Sequence, residues 1–180
     1  MGWFRASPPG DPLVVAMSGV KLGDRLLIIG GSHIKTVAHL ALKPGISGRA
    51  VVVDENAASS SRAAQAATNE GALIESETAP FTMLPFDHEA FDLVVVNHAL
   101  AKLPESRRNM ALVEARRVLR EGGRIIAIEP APRGGLGALV GGATIPSADL
   151  ERELTSAGFR AVRTLAQRDG LAFIEGAKRS

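Results

Sequence analysis

The chain is expected to fold as an α/β domain around a doubly wound, mainly parallel sheet with a mixed edge. Three observations predict this. Short runs rich in Val, Ile and Leu alternate with longer Ala/Leu-rich stretches, the pattern of strands joined by helical crossovers. The runs are apolar throughout rather than alternating, as strands covered on both faces should be. Near the C-terminus two further runs are separated by a turn containing Asp169-Gly170, which requires an antiparallel pair.

The elements follow in order. Asp11 stands ahead of an apolar stretch with Pro12 at its first turn, so residues 11–20 form a short leading helix over one face of the sheet. Strands are predicted at Arg25–Ile29, residues 50–54, Phe91–Asn97 and residues 124–129, each ending where glycine or polar residues begin. Those polar ends form the working edge. Between them, residues 32–42 read as a helix stopped by Lys43-Pro44-Gly45, and residues 57–68 as an alanine-rich helix closed near Gly71. Residues 105–120 form a third helix, with Met110, Val113, Arg117 and Leu119 at helical spacings, ended by Gly122-Gly123.

Residues 131–145 carry Gly134, Gly135, Gly137, Gly141 and Gly142 without a period and are expected as a mobile loop. Order resumes at Ser147, placed as N-cap of a helix over 148–157 that stops at Gly158. Strands at 160–165 and 171–175 close the chain. Residues 1–10 are expected as a flexible segment and 11–180 as a single domain.

With 180 residues, 46% of them hydrophobic and 22% charged, the chain suits one core. A net charge of +2, from 21 Lys and Arg against 19 Asp and Glu, offers no concentrated basic field, so no nucleic-acid partner is expected. The absence of cysteine excludes a disulfide framework, a thiolate metal site and a cysteine nucleophile. No apolar run approaches the roughly 18 residues of a membrane span, and the start lacks a signal-peptide pattern; a cytoplasmic protein is expected. His33 and His39 lie six apart and share no ligand face, so no metal is expected.

Two features carry chemistry. The first strand runs into Gly30-Gly31-Ser32 and a helix, a turn that lets a ligand approach backbone N–H groups. The next strand ends in Asp54, 24 positions after Gly30, where a carboxylate can accept hydrogen bonds from both hydroxyls of a ribose. Together they suggest a nucleoside-containing cofactor. Each also has a plain structural explanation, as a tight turn and as a helix cap.

Residues 84–130 read LPFDHEAFDLVVVNHALAKLPESRRNMALVEARRVLREGGRIIAIEP. This stretch resembles the class I S-adenosylmethionine (SAM) dependent methyltransferases related to quinone-biosynthesis C-methyltransferases. Their pattern runs LPF, FD, an apolar strand, LP, a helix with E-x-x-RVL, GG and a strand ending EP. The resemblance reaches back through Gly30 and Asp54 and forward through Ala157-Gly158-Phe159 and Glu175-Gly176-Ala177-Lys178. It implies a Rossmann-like sheet of seven strands in order 3-2-1-4-5-7-6, with strand seven antiparallel. It also implies SAM as cofactor, bound by Gly30, Gly31, Ser32, Asp54, Glu55 and Phe81. Asn97 and His98 would be the catalytic pair bordering a small-molecule methyl acceptor.

The cofactor loop departs from the family's pattern of an acidic residue followed by G-x-G-x-G. The corresponding positions are Ile28, Gly30, Ser32 and Ile34, so only the first glycine is kept. Pro80 stands near the acidic position that meets the adenine amine in relatives, with Glu75 or Glu77 as substitutes if that strand end shifts. Two readings therefore stay open: a SAM-dependent methyltransferase, or a catalytically silent domain that serves as a binding or assembly partner. In the second, Trp3-Phe4 could anchor a protein. The short segment 131–145 leaves room for a homodimer or another protein to complete the pocket. Methyl transfer from a sulfonium is an in-line displacement that needs alignment more than a nucleophilic side chain, so the missing triad excludes nothing.

Overall fold

The computed structural model describes residues 11–132 and 142–179. The N-terminal segment 1–10, with Trp3 and Phe4, and most of the expected glycine-rich loop lie outside the described residues. Five helices and seven strands are described: α1 (Asp11–Ser18), β1 (Arg25–Ile29), α2 (Ile34–Ala41), β2 (Arg49–Asp54), α3 (Ala57–Asn69), β3 (Glu75–Thr78), β4 (Phe91–Asn97), α4 (Glu105–Val118), β5 (Leu119–Pro130), α5 (Ser147–Ser156), β6 (Arg160–Arg168) and β7 (Leu171–Ala177). The strands form one sheet in the order β3-β2-β1-β4-β5-β7-β6, the implied topology. β7 is antiparallel to both β5 and β6, and the other pairs are parallel.

Alternation along the central strands divides the core in two. Leu27, Ile29, Val51, Val53, Val94 and Val96 pack on one face with Ala111, Leu112, Ala115 and Val118 of α4 and Leu150 and Leu154 of α5. Leu26, Ile28, Val52, Leu93 and Val95 pack on the other with Val14 of α1, Val37 and Leu40 of α2 and Ala63 of α3. Both faces of each strand are thus dry, which is why the runs are apolar at every position. Fully burying one such aliphatic side chain contributes about 1.5–3 kcal/mol, so these two layers dominate the stability.

Several expected boundaries move. The third helix ends at Val118 and passes directly into β5, which begins five residues before the predicted start at 124. Gly122-Gly123 therefore does not stop the helix. Gly122, with φ +74, kinks the strand, and the pairing with β4 shifts register between Phe91 and Leu93. The buried face of α4 is Ala111, Leu112, Ala115 and Val118, while Met110 and Val113 are exposed. Arg117 is not a free surface charge. Its guanidinium donates to the Phe86 and Leu84 carbonyls and to Glu114, pinning the LPF segment to α4.

Ser147 is the first residue of α5 rather than its cap; Pro146 precedes it and the Ser147 hydroxyl bonds Gln167. The hairpin lies where expected, with positive φ at both Asp169 and Gly170 between paired Arg168 and Leu171. β3 is exposed along its length, and its Glu75 pairs with Arg49 of β2 at the sheet edge. A charged edge of this kind discourages strand addition.

Candidate active site

β1 has neighbours on both sides whose connections run to opposite faces, so the crevice beyond its C-terminal end is the switch point of the sheet. A cavity of about 380 Å³ opens there. Its walls are Gly30, Ser32, Asp54, Glu55, Asn56, Phe81, His98, Ala99, Lys102, Leu103 and Arg107. Six of the eight sequence-predicted site residues thus share one cavity. The other two, Gly31 and Asn97, are buried and hold the turn in place without lining the cavity.

The turn after β1 is built by its neighbours. Gly30 N–H donates to the Val53 carbonyl at 2.9 Å. Asn97, wholly buried, donates from Nδ2 to the Gly30 carbonyl at 3.2 Å, while its Oδ1 has no hydrogen-bond partner among the described residues. A Cβ on Gly30 would lie 2.4 Å from the Asn97 carbonyl oxygen, and φ there is +103, so no other residue fits. A Cβ on Gly31 would lie 2.9 Å from the Ser59 carbonyl at the start of α3.

Asp54 clamps two loops. Its Oδ2 accepts from Gly31 N–H at 2.7 Å and its Oδ1 from Asn56 N–H at 2.8 Å. Asn56 in turn caps α3 by accepting from Ala58 and Ser59 N–H. Each carboxylate oxygen of Asp54 has one acceptor site left, enough for two hydroxyls. Beside it, Glu55 Oε1 accepts from Phe81 N–H at 3.1 Å and from Arg107 at 2.5 Å.

The other end of the cavity is cationic and imidazole-lined. The His98 ring stacks on His33 at 3.7 Å between centroids, and His98 takes φ +53 where β4 ends. Burial, with the His33 ring and the Lys102 ammonium close by, pushes His98 down to about 4. The ring is therefore neutral at physiological pH. Lys102 Nζ lies 3.3 Å from the Ser32 hydroxyl.

Glu129, at the end of β5, shapes this wall from behind. It is wholly buried, and accepts N–H bonds from Ala99, Leu100 and Ala101 at 2.8–3.0 Å, fixing the 3-10 turn Leu100–Lys102. Burial pushes its carboxyl up to about 7, although the three backbone donors favour the ionised form. Reading the sequence did not single out Glu129, Lys102, Arg107 or Asn56. Glu129 was visible only as the E of the EP motif.

Residues 27–127 match the family described as methyltransferase domain. The chain belongs to that family. Its cofactor is SAM. Among the methyltransferases it resembles is the ubiquinone/menaquinone biosynthesis C-methyltransferase of Teredinibacter turnerae, 30% identical over 117 residues, which are 64% of this chain and 46% of that protein. The protein of the same name from Francisella tularensis subsp. novicida is 28% identical over the same share of both chains. This methyltransferase domain spans about half the length of those curated relatives. In fold it is similar to a SAM dependent methyltransferase from Aquifex aeolicus, with TM-score 0.81 at 16% identity, covering 94% of this chain and 89% of the other. Human N-acetylserotonin methyltransferase, solved in complex with SAM, has TM-score 0.71 at 18% identity and coverage of 94% and 52%.

The residues present fit SAM at both ends. The cavity falls within the size range of small-ligand sites. Asp54 keeps acceptor capacity for ribose hydroxyls, and the Lys102 ammonium suits a carboxylate. Ile28 supplies none of this, being wholly buried among α1, α2 and α3 side chains.

Proposed function

We propose that residues 11–180 act as one cytoplasmic domain that methylates a small-molecule acceptor, with SAM held across the cavity from Asp54 to Lys102. The observation that carries this reading is the convergence of Gly30, Ser32, Asp54, Glu55, Phe81 and His98 on one cavity at the switch point of the sheet. When bound, SAM supplies an electrophilic methyl group. The domain's own part is positioning. Asp54 and the Gly30-Gly31 turn fix one end of the ligand, and His98 and Ala99 border the space in which an acceptor atom must align. The neutral His98 ring can accept a hydrogen bond from an acceptor hydroxyl and so orient it, which an imidazolium could not.

The names of the relatives point to quinone precursors as the first acceptors to assay. Incubation with methyl-labelled SAM and a panel of hydroxylated aromatic rings should give labelled product, and SAM or S-adenosylhomocysteine should raise the melting temperature. Absence of both at millimolar ligand would refute the proposal and leave a silent assembly domain as the function. Label transferred to RNA rather than to the small-molecule panel would equally refute the acceptor class.

A further inference from the structure

The geometry points to Glu55 as the group that reads the base of the cofactor: a carboxylate oxygen aimed at an exocyclic amino group of a flat heteroaromatic ring lying against Phe81. This inference rests on the SAM reading of the cavity.

Five observations carry it. Glu55 and Phe81 line the same cavity and are joined directly, the Phe81 N–H donating to Glu55 Oε1 at 3.1 Å. That bond holds the carboxylate of residue 55 against the backbone beside Pro80, where the chain itself has no acidic side chain. Arg107 of α4 donates to the same oxygen at 2.5 Å, so the carboxylate is fixed in position from two directions. Both contacts fall on Oε1, which leaves Oε2 as a free acceptor on a side chain that lines the cavity together with Asp54, the preceding residue. Phe81 is only 6% exposed and presents an apolar wall at the same place.

An apolar wall, a positioned acceptor and a neighbouring hydroxyl-binding carboxylate together describe a nucleoside whose base carries an amino group. A carboxylate oxygen accepts from an amino group and repels a carbonyl oxygen, so the pocket should distinguish adenine from its deaminated form. Arg107 acts here as a positioning residue, since it reaches the base only through Glu55.

The test compares binding of S-adenosylhomocysteine with that of S-inosylhomocysteine, which has a 6-oxo group in place of the 6-amino group, by calorimetry on the full chain. Wild type should prefer the adenine compound by at least about tenfold, the discrimination expected when a site's polar group is left unpaired. Glu55→Gln, whose amide can turn either an oxygen or an N–H toward the base, should bring the ratio near one with little change in melting temperature. Glu55→Asp, which keeps the charge but shortens the reach, should also reduce the ratio and serves if the glutamine variant folds poorly. Equal binding of the two compounds by wild type, or an unchanged ratio in both variants, overturns the assignment while leaving the SAM site intact. Tighter binding of the adenine compound after Glu55→Ala would show that the Glu55–Arg107 pair bars the cavity, and overturns it as well. Binding of neither compound by wild type would overturn the SAM reading itself, and this inference with it.

Discussion

Glu129→Gln separates what the buried carboxyl does by shape from what it does by charge. The folded chain holds its proton up to about pH 7, against an ordinary value of 4.5. Between those two values the unfolded chain has released the proton while the folded chain keeps it. The folded state then binds more protons, so this group's contribution to stability is complete below pH 4.5 and is lost as pH rises through 7. A displacement of this size corresponds to about 3 kcal/mol. Glutamine resembles the protonated acid and cannot titrate. Its amide nitrogen would face one of the three donors at Ala99, Leu100 and Ala101, a pH-independent cost of about 1–3 kcal/mol. The variant should therefore be the less stable protein at pH 5, and by pH 8 the difference should shift about 3 kcal/mol in its favour. Urea unfolding of both proteins at pH 5, 6, 7 and 8 measures that difference, with equal m values confirming a common reference. Subtracting one protein from the other cancels His98 and every other titrating group. A difference that stays constant from pH 5 to 8 would refute the reasoning.

Three further expectations follow from the same geometry. Gly30→Ala places a methyl group 2.4 Å from the Asn97 carbonyl at φ +103, which should cost about 3 kcal/mol or more and lower the melting temperature by roughly 6–12 °C; an unchanged Tm would show that the turn is not as tight as described. Burial raises the Asp92 carboxyl, but hydrogen bonds from the Arg25 side chain and backbone and from Arg120 outweigh it and hold the group at about 2 against 3.8. Its contribution is present above 3.8 and lost as pH falls through 2, so Asp92→Asn should cost about 2 kcal/mol at pH 6 and little near pH 2, read by acid unfolding. His98 stays neutral in the folded state down to about 4 against 6.5 ordinarily, so the unfolded chain binds the extra proton and stability falls as pH drops from 6.5 to 4. A His98 ring resonance titrating near 6 or above would contradict this.

The sheet was legible because its central strands are dry on both faces and so are apolar at every position. β3 was not, since Glu75–Thr78 is exposed throughout and carries no pattern for burial to imprint; only the family resemblance implied a strand there. The face of α4 was misread because two of its four buried residues are alanines, which weigh little in a search for apolar period, while Met110 and Val113 lie at similar helical spacing on the exposed side. Gly122-Gly123 looked like a helix stop because a positive φ ends helices as readily as it kinks strands. In the site, the residues at strand ends were legible because an open α/β sheet binds at the carboxyl edge. Lys102 and Arg107 were not, since the orientation of the 3-10 turn and of α4 that brings them to the cavity is set by packing and by Glu129.

The altered cofactor loop takes on a different meaning once its contacts are known. Gly30 is required by the Asn97 carbonyl and Gly31 by the Ser59 carbonyl, so both glycines answer to the protein's own packing, whether or not a ligand is present. Ser32 is exposed and Ile34 half-buried, positions at which the fold does not demand glycine. The pattern of glycines kept and lost thus follows what the turn needs to close, and by itself says nothing for or against SAM. The groups that report on the ligand are the cavity-lining ones the fold leaves with capacity to spare: the second acceptor site on each Asp54 oxygen, Oε2 of Glu55 and the ammonium of Lys102. Asp54 and Glu55 lie at the end of β2 and Lys102 in the turn after β4, so the hydroxyl-accepting groups and the ammonium flank the Gly30 turn, and it is on this arrangement that the proposed placement of SAM rests.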